Sequence, residues 1–501
     1  MSLLWGDIHN HCGITYGFGS LRHALDIARE HLDFCAVTGH AMWPDMPALC
    51  PETEYLIRFH QEGFQKLRDH WEEVRALVNS YNQDGEFVTF QSYEMHSGEF
   101  GDHHLLSPDS DVALAYADSP AALLKRLKPA RGIMIPHHIG YTPGYRGINW
   151  DHYDSRISPV VEVCSKHGCG MSDLSPYPYY HNMGPRDSRN TVYEGLRRGY
   201  RFGFVGSTDH HAGFPGSYGD GKAAVWSEEK TRAGIYRAIN DRRTYAVTGD
   251  RISCDFKVNG QRFGSIINDG SGIRSLDLQV EAGYFLDKIV VFKNLRAIHV
   301  INGELLPVIN DTGDTGRYKV RFEMGWGNSN ALYTWKGRVK ACNGRLTDVE
   351  PCFRGRSILA PEKDLTAGDD VNLIEDKITA RGPESVEWVC QTVKNVTTLH
   401  PSTSHLILEI EGSPATILEG EINGKAFAFS IEALLRHGYS DCMQPYNAES
   451  FKIHQAVPQS RYRTTLCLED RKKETEHDFY HVEVRQANGD CAFVTPVYFE
   501  G

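Results

Sequence analysis

The sequence lacks long apolar runs, an excess of basic residues and paired cysteines, and each absence excludes a class of protein. No stretch of the 501 residues approaches the roughly 18 consecutive apolar residues of a membrane-spanning helix. With 53 Lys and Arg against 65 Asp and Glu, the formal net charge is -12, which disfavours nucleic acid or an anionic membrane as a partner. The 12 cysteines contain no C-x-x-C pair, so neither a disulfide framework nor a thiolate zinc site is indicated.

The start of the chain also lacks the features of a secretory signal. Residues 1–5 lead directly into a histidine-rich motif, without a basic leader followed by an apolar segment. Scattered cysteines are typical of reduced, buried thiols. We therefore expect a cytoplasmic protein.

What the chain does have is a change of pattern near residue 250. Before it, short apolar runs alternate with helical periodicity, which is typical of repeated βα units. Strands are predicted at 3–9, 34–38, 87–93, 132–136, 160–163 and 202–206. Helices are predicted at 21–30, 54–81, 121–128, 191–198 and 231–242.

After residue 250 helical periodicity nearly vanishes, and only 431–435 still indicates a helix. Short alternating segments and Asn-Gly turns, such as those at 259–260 and 423–424, favour antiparallel strands. We predict an α/β domain over 1–250 and a β-rich domain over 251–501, with one or two antiparallel β-sandwiches. The second domain carries no chemical signature, so three roles stay open for it: covering the first domain, shaping its pocket, or forming a homo-oligomer.

Histidines follow the predicted strands of the first domain. On a strand, His9 and His11 point to the same face, and Asp209 with His211 repeats this spacing. Neutral imidazole nitrogens and carboxylate oxygens are ligands for Zn, Mn or Fe. The candidate metal ligands are His9, His11, His40, Glu94, His103, His104, His137, Asp209 and His211.

Two neighbouring pairs within this set are ambiguous. Only one of His103 and His104 can face inward if their segment is extended, and we favour His103 without excluding His104. His137 is preferred to His138 because it directly ends the apolar run 133–136.

In this order, these motifs resemble those of the PHP (polymerase and histidinol phosphatase) superfamily over residues 1 to about 250. Residues 161–168 and 249–252 look like the uncharacterised DUF3604 branch, which is grouped with carbamate-hydrolysing PHP metalloenzymes. The resemblance implies a distorted (β/α)7 TIM-like barrel with two or three divalent metal ions on its C-terminal rim.

The resemblance also implies a division of the ligands among the ions. His9, His11, Glu94 and Asp209 would hold one ion, Glu94 with His103 or His104 and His137 a second, and His40 with His211 a third. This chain has Tyr16, Gly17 and Gly39 where the family has acidic or imidazole groups. We therefore expect the third site to be weak or empty.

Divalent ions of this kind activate water for hydrolysis. His138, His167 and His210 are candidates for a general acid or for hydrogen-bond partners that orient a metal ligand. Arg146, Lys166, Arg186 and Arg189 could bind a phosphate group, or could be solvated surface charges.

Aromatic residues in the same loops favour another kind of ligand. Tyr177 in the segment 176–181, Trp43 and Trp150 could wall a pocket for an apolar or sugar-like ligand, or pack against the β-rich domain.

The leading hypothesis is a zinc- or manganese-type hydrolase of a small phosphoester. The alternatives are hydrolysis of a carboxylic or carbamic ester, amide or lactone at the same centre, and a noncatalytic metal-bound scaffold with a binding β domain. For a hydrolase the expected partner is a small-molecule substrate, whereas the scaffold would bind a glycan or protein partner.

Overall fold

The computed structural model describes residues 1–175, 184–269, 272–305, 315–328, 330–356, 375–394, 402–446, 448–471 and 473–500. Within these ranges the chain forms a mixed α/β structure in which strands far outnumber helices. No helix in the described part of the chain is both long and apolar enough to cross a membrane.

The longer helices lie before residue 250 and follow the predicted bounds closely. Ser20, Ser119 and Thr231 cap three of them, because their side-chain oxygens accept hydrogen bonds from the free backbone N–H groups of the first turn. The helices are α1 Leu21–His31, α2 Glu54–Tyr81, α3 Pro120–Leu127, α4 Val192–Arg197, α5 Arg232–Asn240, α6 Ile431–Arg436 and α7 Gln459–Tyr462. Short 3-10 helices occupy Trp150–His152, Ser188–Asn190 and Gly303–Leu305.

The strands before residue 250 belong to three sheets. They are β1 Ser2–Asp7, β2 Phe34–Cys35, β3 Gly39–Met42, β4 Val88–Thr89, β5 Tyr93–Met95, β6 His103–Leu106, β7 Ile133–Pro136, β8 Val160–Ser165, β9 Gly168–Cys169, β10 Gly203–Gly206, β11 Lys222–Ser227 and β12 Thr244–Val247. Parallel pairing joins β1 to β2, β2 to β4, β3 to β5 and β8 to β10.

The described strands do not close into a barrel, so the expected (β/α)7 barrel is not shown. One reason lies in β6, which pairs antiparallel with both β5 and β7. The connection from β5 to β6 is too short for the crossover helix that a parallel neighbour requires.

The strands after residue 250 are almost all antiparallel, as the alternating pattern predicts. They are β13 Ser253–Val258, β14 Gln261–Arg262, β15 Ile266–Asn268, β16 Arg274–Glu281, β17 Leu286–Lys293, β18 Arg296–Asn302, β19 Gly316–Gly325, β20 Tyr333–Cys352, β21 Lys377–Arg381, β22 Ser385–Thr392, β23 Ser404–Ile422, β24 Lys425–Ser430, β25 Tyr439–Cys442, β26 Ser450–Ile453, β27 Val457–Pro458, β28 Arg463–Asp470, β29 Phe479–Gln486 and β30 Cys491–Glu500. Asn259 and Asn423 both have positive φ before a glycine of positive φ, which is the turn geometry their Asn-Gly sequences favour.

One sheet of ten strands runs through both halves of the chain. Strand β12 pairs with β30, so backbone hydrogen bonds cross the predicted boundary at residue 250. A four-stranded sheet containing β13, β16 and β28 shares an apolar core with this sheet. A nine-stranded sheet centred on β20, β23 and β19 forms a second core that also includes Ile27 and Phe214. The division into two domains stays a prediction.

Candidate metal centre

The loops after β1 and β10 lie side by side and bring the first ligands together. The backbone N–H of Asp209 donates to His9 O at 2.7 Å, and that of His11 donates to His210 O at 2.8 Å. Below them the buried Asp7 carboxylate accepts hydrogen bonds from the Thr208 hydroxyl at 2.6 Å and the Gly216 N–H at 2.8 Å. These bonds fix the side chains of His9, His11 and Asp209 on one face.

Glu94, on β5, stands at the centre of the cluster. Its side chain is buried, and imidazole nitrogens approach it from several elements. The Nε2 atoms of His9 and His11 each lie 3.3 Å from Oε2, that of His40 lies 3.6 Å from Oε2, and that of His137 lies 3.2 Å from Oε1. One carboxylate in contact with several imidazoles is an arrangement suited to bridging metal ions.

The structure places His104, and not the favoured His103, in this cluster. In the β5–β6 pair Glu94 lies opposite His104, so the two side chains share a face. The His104 ring stacks on His9 with centroids 4.7 Å apart. His103 points to the other face of β6, where its Nδ1 donates to Gly101 O at 2.8 Å.

The described residues include several groups of three that could hold a metal ion. In each group one ligand atom per residue lies within 4.8 Å of the others. The groups include His9, His104 and His137; His11, His40 and His211; His9, His11 and Asp209; His40, Glu94 and His96; and Asp102, His137 and His138. The Nε2 of His104 is buried and has no hydrogen-bond partner among the described residues, so it offers a free lone pair. These residues fit a cluster of divalent ions.

Electrostatics keep most of the imidazoles neutral, which is their ligand form. Burial lowers the pKa of His11 to about 4 and lowers the pKa values of His40 and His104 well below the usual range. Burial also opposes charge on His9, but Glu162 and Asp209 outweigh it and raise the His9 pKa well above its usual value.

The two carboxylates at the centre remain ionised despite being buried. Burial alone would raise the pKa of Glu94, but His40 and His137 outweigh it and hold the pKa well below its usual value. His9, His167 and Lys166 do the same for Asp209. Asp209 also has a φ of 49°, a left-handed conformation that is uncommon outside glycine and often found at functional sites.

Other groups occupy the positions where the sequence resemblance would place acidic residues. The Tyr16 ring stacks on His40 with centroids 3.8 Å apart, and its hydroxyl lies 2.8 Å from His96 Nε2. A Cβ at Gly39 would lie 3.0 Å from a Leu67 methyl carbon, so apolar side chains already fill that space.

The sequence reasoning missed His96, Asp102 and Glu162. His96 Nδ1 lies 3.2 Å from Glu94 Oε1 and 2.8 Å from Asp102 Oδ2. Glu162 Oε2 accepts a hydrogen bond from His9 Nδ1 at 2.8 Å. The alternation of Glu94 and His96 repeats the H-x-H spacing, and that signal could have identified His96.

Of the three candidate catalytic histidines, two contact the cluster. His167 Nε2 lies 2.8 Å from Asp209 Oδ2, and His138 Nε2 lies 3.7 Å from Asp102 Oδ2. His210 points the other way, because Asp209 and His211 on either side of it face the cluster. Its Nδ1 instead accepts a hydrogen bond from the Ala212 N–H at 3.2 Å.

Two of the candidate phosphate-binding cations also lie at the cluster. Lys166 Nζ is 2.6 Å from His211 Nδ1, and burial lowers its pKa to about 8. Arg146 Nε donates to Asp102 Oδ2 at 2.6 Å, and one of its Nη atoms lies 4.0 Å from Glu94 Oε1. Together they place positive charge beside the ligand carboxylates.

The other candidates for substrate binding lie elsewhere. Arg186 donates to the backbone carbonyls of Ser172 and Cys169, and the largely exposed Arg189 pairs with Asp187.

Of the aromatic candidates, one lies at the cluster and another lies elsewhere. Trp43 lies beside the cluster, with its ring 5.6 Å from that of His96, whereas Trp150 is buried against Phe202. Tyr177 and the segment 176–181 lie outside the described residues.

A segment from the second half of the chain packs against the His210 side of the centre. Tyr218 N–H donates to Phe353 O at 2.9 Å. A Cβ at Gly355 would lie 2.5 Å from Phe214 Cβ and 2.9 Å from His210 Cε1. This close approach shows that the β-rich half packs against the loop that carries Asp209 and His211.

Comparisons with known proteins give weak similarities. The model of the family described as "Protein of unknown function (DUF3604)" matches residues 217–265. An uncharacterized protein of Chlamydia pneumoniae is 24% identical over 259 residues, which cover 46% of this chain and 40% of that protein. An uncharacterized protein of Chlamydia trachomatis is 28% identical over 284 residues, which cover 52% and 42%. The chain therefore matches about two fifths of the length of these relatives.

A solved structure covers more of the chain at lower identity. It is a two-domain protein from Bacteroides vulgatus containing a predicted PHP-like metal-dependent phosphoesterase. The two are 11% identical with a TM-score of 0.32, and the alignment covers 86% of this chain and 94% of that one.

Proposed function

We propose that this chain is a metal-dependent hydrolase of small phosphoesters. The observation that carries the proposal is the buried Glu94 carboxylate, which five imidazoles approach within 3.6 Å, with Lys166 and Arg146 beside it. Neutral imidazoles and ionised carboxylates form a donor set for Zn, Mn or Fe. The adjacent cations favour an anionic substrate, and thus a phosphoester over a neutral carboxylic ester.

The cluster offers ligands for two divalent ions. His9, His11 and Asp209 would hold one, and His104 and His137 the other, with Glu94 between them. When bound, the ions supply an activated water and polarise the phosphoryl oxygen. His11, His40 and His211 would provide a weaker third site, because Tyr16 and Gly39 replace its acidic members.

The remaining residues have separate roles in the proposed reaction. Glu162 accepts the Nδ1 proton of His9 and so directs the Nε2 lone pair into the cluster. Lys166 and Arg146 would bind the phosphoryl oxygens and orient the ester. His167 and His138, which contact Asp209 and Asp102, are the candidates to hold the proton that passes to the leaving-group oxygen.

We also propose membership of the PHP superfamily and a cytoplasmic location. The order of the histidine motifs supports the first, and the DUF3604 match at 217–265 adjoins the last of those motifs. The cysteines scattered without C-x-x-C pairs, which are typical of reduced thiols, support the second.

The decisive experiment combines metal analysis with a panel of aryl substrates. Purified protein is analysed for bound metal and assayed on aryl phosphate monoesters and diesters, aryl acetates and aryl carbamates. We expect about two transition-metal ions per chain and hydrolysis of the phosphoesters. Hydrolysis of acetates or carbamates alone would replace the proposed substrate class with the carboxylic or carbamic one.

Substitution of a ligand tests the metal assignment itself. Asp209→Asn keeps the side-chain shape but removes the negative charge, so we expect it to lose both bound metal and turnover. The exposed Asp151→Asn is the matched control and should retain both. Full activity of Asp209→Asn would refute the assignment.

A further inference from the structure

A cavity lies behind the metal centre, on the opposite face of β6. Its volume is about 150 Å³. Apolar and aromatic groups form much of its wall, among them Phe100, Pro120, Ile148, Tyr153 and Ile157. A cavity of about this size holds one six-membered ring.

The wall is fixed by close backbone packing. A Cβ at Gly101 would lie 2.6 Å from Ile148 Cα and 2.7 Å from Gly147 O, so the segment before β6 lies directly on the segment that carries Ile148. Asn149 Nδ2 adds a hydrogen bond to Glu99 O at 2.8 Å. The cavity is therefore a built feature of the fold.

His103 is directed into this cavity and is only 6% exposed. Its Nδ1 lies 2.8 Å from Gly101 O, and because a carbonyl oxygen only accepts, this nitrogen carries the proton. Within the described residues no hydrogen bond is formed by its Nε2. An imidazole with its proton on Nδ1 therefore presents an Nε2 lone pair to the cavity.

Three other polar groups of the wall are already engaged. The Ser119 hydroxyl caps α3, the Asp154 carboxylate binds Arg156, and the Tyr153 hydroxyl donates to Ser158 O. A ligand would thus meet a largely apolar wall and the Nε2 acceptor of His103.

We propose that this cavity is a second ligand site, which binds a small neutral ring compound carrying one O–H or N–H donor. The ring fills the apolar space, and the donor meets the Nε2 of His103. The site is separate from the metal centre but shares β6 with it, since His103 and His104 point to opposite faces of that strand. Binding here does not depend on the proposed hydrolase activity.

Phenol and toluene are the probes, because they share a ring and one substituent but only phenol donates a hydrogen bond. Both are titrated into the full-length protein at about pH 8, where phenol is neutral, and binding is followed by ligand-observed NMR. We expect phenol to bind at concentrations up to about 10 mM and toluene to bind about three- to tenfold more weakly. Absence of phenol binding, or equal binding of toluene, would overturn the proposal.

Substitutions locate the bound phenol without touching the metal centre. Ala121 is exposed on α3 and lines the cavity, so Ala121→Phe should block it and abolish binding. Arg126→Phe places the same ring on the same helix away from the cavity and should leave binding unchanged. Equal binding of phenol to the Ala121→Phe variant would place the site elsewhere and refute the assignment.

His103→Phe tests the acceptor itself. It replaces the imidazole with a ring of similar shape that has no lone pair, so phenol should lose its advantage over toluene. An unchanged preference for phenol in this variant would show that another group accepts the hydrogen bond.

Discussion

At the scale of single residues, Glu162 shows how a group outside the ligand set can control the metal centre. Its Oε2 accepts the Nδ1 proton of His9 at 2.8 Å, and both side chains are buried. Glu162→Gln removes the charge that orients and polarises this imidazole, so we expect metal affinity to fall about 10- to 100-fold. Competition with a chelator measures the affinity. The half-buried Glu483→Gln is the control, and an equal loss there would point to a general effect on folding.

A second residue-scale prediction concerns Lys166, whose Nζ lies 2.6 Å from His211 Nδ1. Lys166→Met removes a buried cation while keeping most of the side-chain volume. We expect KM for an aryl phosphate to rise about 10- to 100-fold, since a hydrogen bond to a charged group contributes about 1.5–3 kcal/mol. Steady-state kinetics check this, with Lys319→Met as the control in the other half of the chain. An unchanged KM would remove Lys166 from substrate binding.

At the scale of elements, the sequence predicts the helices well because their signals are local. The helix predicted at 54–81 has the same bounds as α2, and Ser20, Ser119 and Thr231 begin others at capping positions. The pairing of β6 was not predictable in this way, because strand pairing depends on residues distant in sequence. That pairing decides that His104 faces Glu94 and that His103 does not.

The residues of the metal centre divide in the same way, into those that local sequence patterns predict and those that only tertiary contacts identify. The H-x-H spacing identifies His9 and His11 from the sequence, because alternation on a strand is a local rule. Glu162 and Asp102 become visible only when their partners are known, since Glu162 bonds His9 far away in sequence and Asp102 bonds His96 within the connection between β5 and β6.

The segment after β20 gives an element-scale prediction about the β-rich half. A methyl group at Gly355 would lie 2.5 Å from Phe214 Cβ, so Gly355→Ala must displace the segment from the His210 side of the centre. We expect a loss of about 1–3 kcal/mol in the free energy of unfolding, together with reduced turnover. Denaturant unfolding and the phosphoester assay measure the two effects. Gly382→Ala, whose new methyl group would meet nothing closer than 3.6 Å, should behave as wild type.

At the scale of the whole molecule, a buried polar network joins the two halves of the chain. The Tyr218 hydroxyl lies within hydrogen-bond distance of both Asp250 Oδ1 at 3.0 Å and Asp490 Oδ2 at 2.8 Å, and Arg321 pairs with Asp250. Gln486 also donates to Asp250 at 2.8 Å. Since all these groups are buried, each depends on the others for its hydrogen bonds. The two halves should therefore unfold together, with one transition seen by probes in either half.

The same network predicts how stability depends on pH. Burial and the neighbouring Asp250 charge raise the pKa of Asp490 to about 6, from 3.8. Between about pH 4 and pH 6 the folded protein therefore binds more protons at this group than the unfolded chain does, and its contribution to the free energy of unfolding falls as pH rises through that window. Asp490→Asn removes this dependence, so the variant should gain on the order of 1–3 kcal/mol relative to wild type between pH 4 and pH 7. Denaturant unfolding of both proteins across this range measures the difference, and a difference that stays constant with pH would show that Asp490 does not titrate in the window.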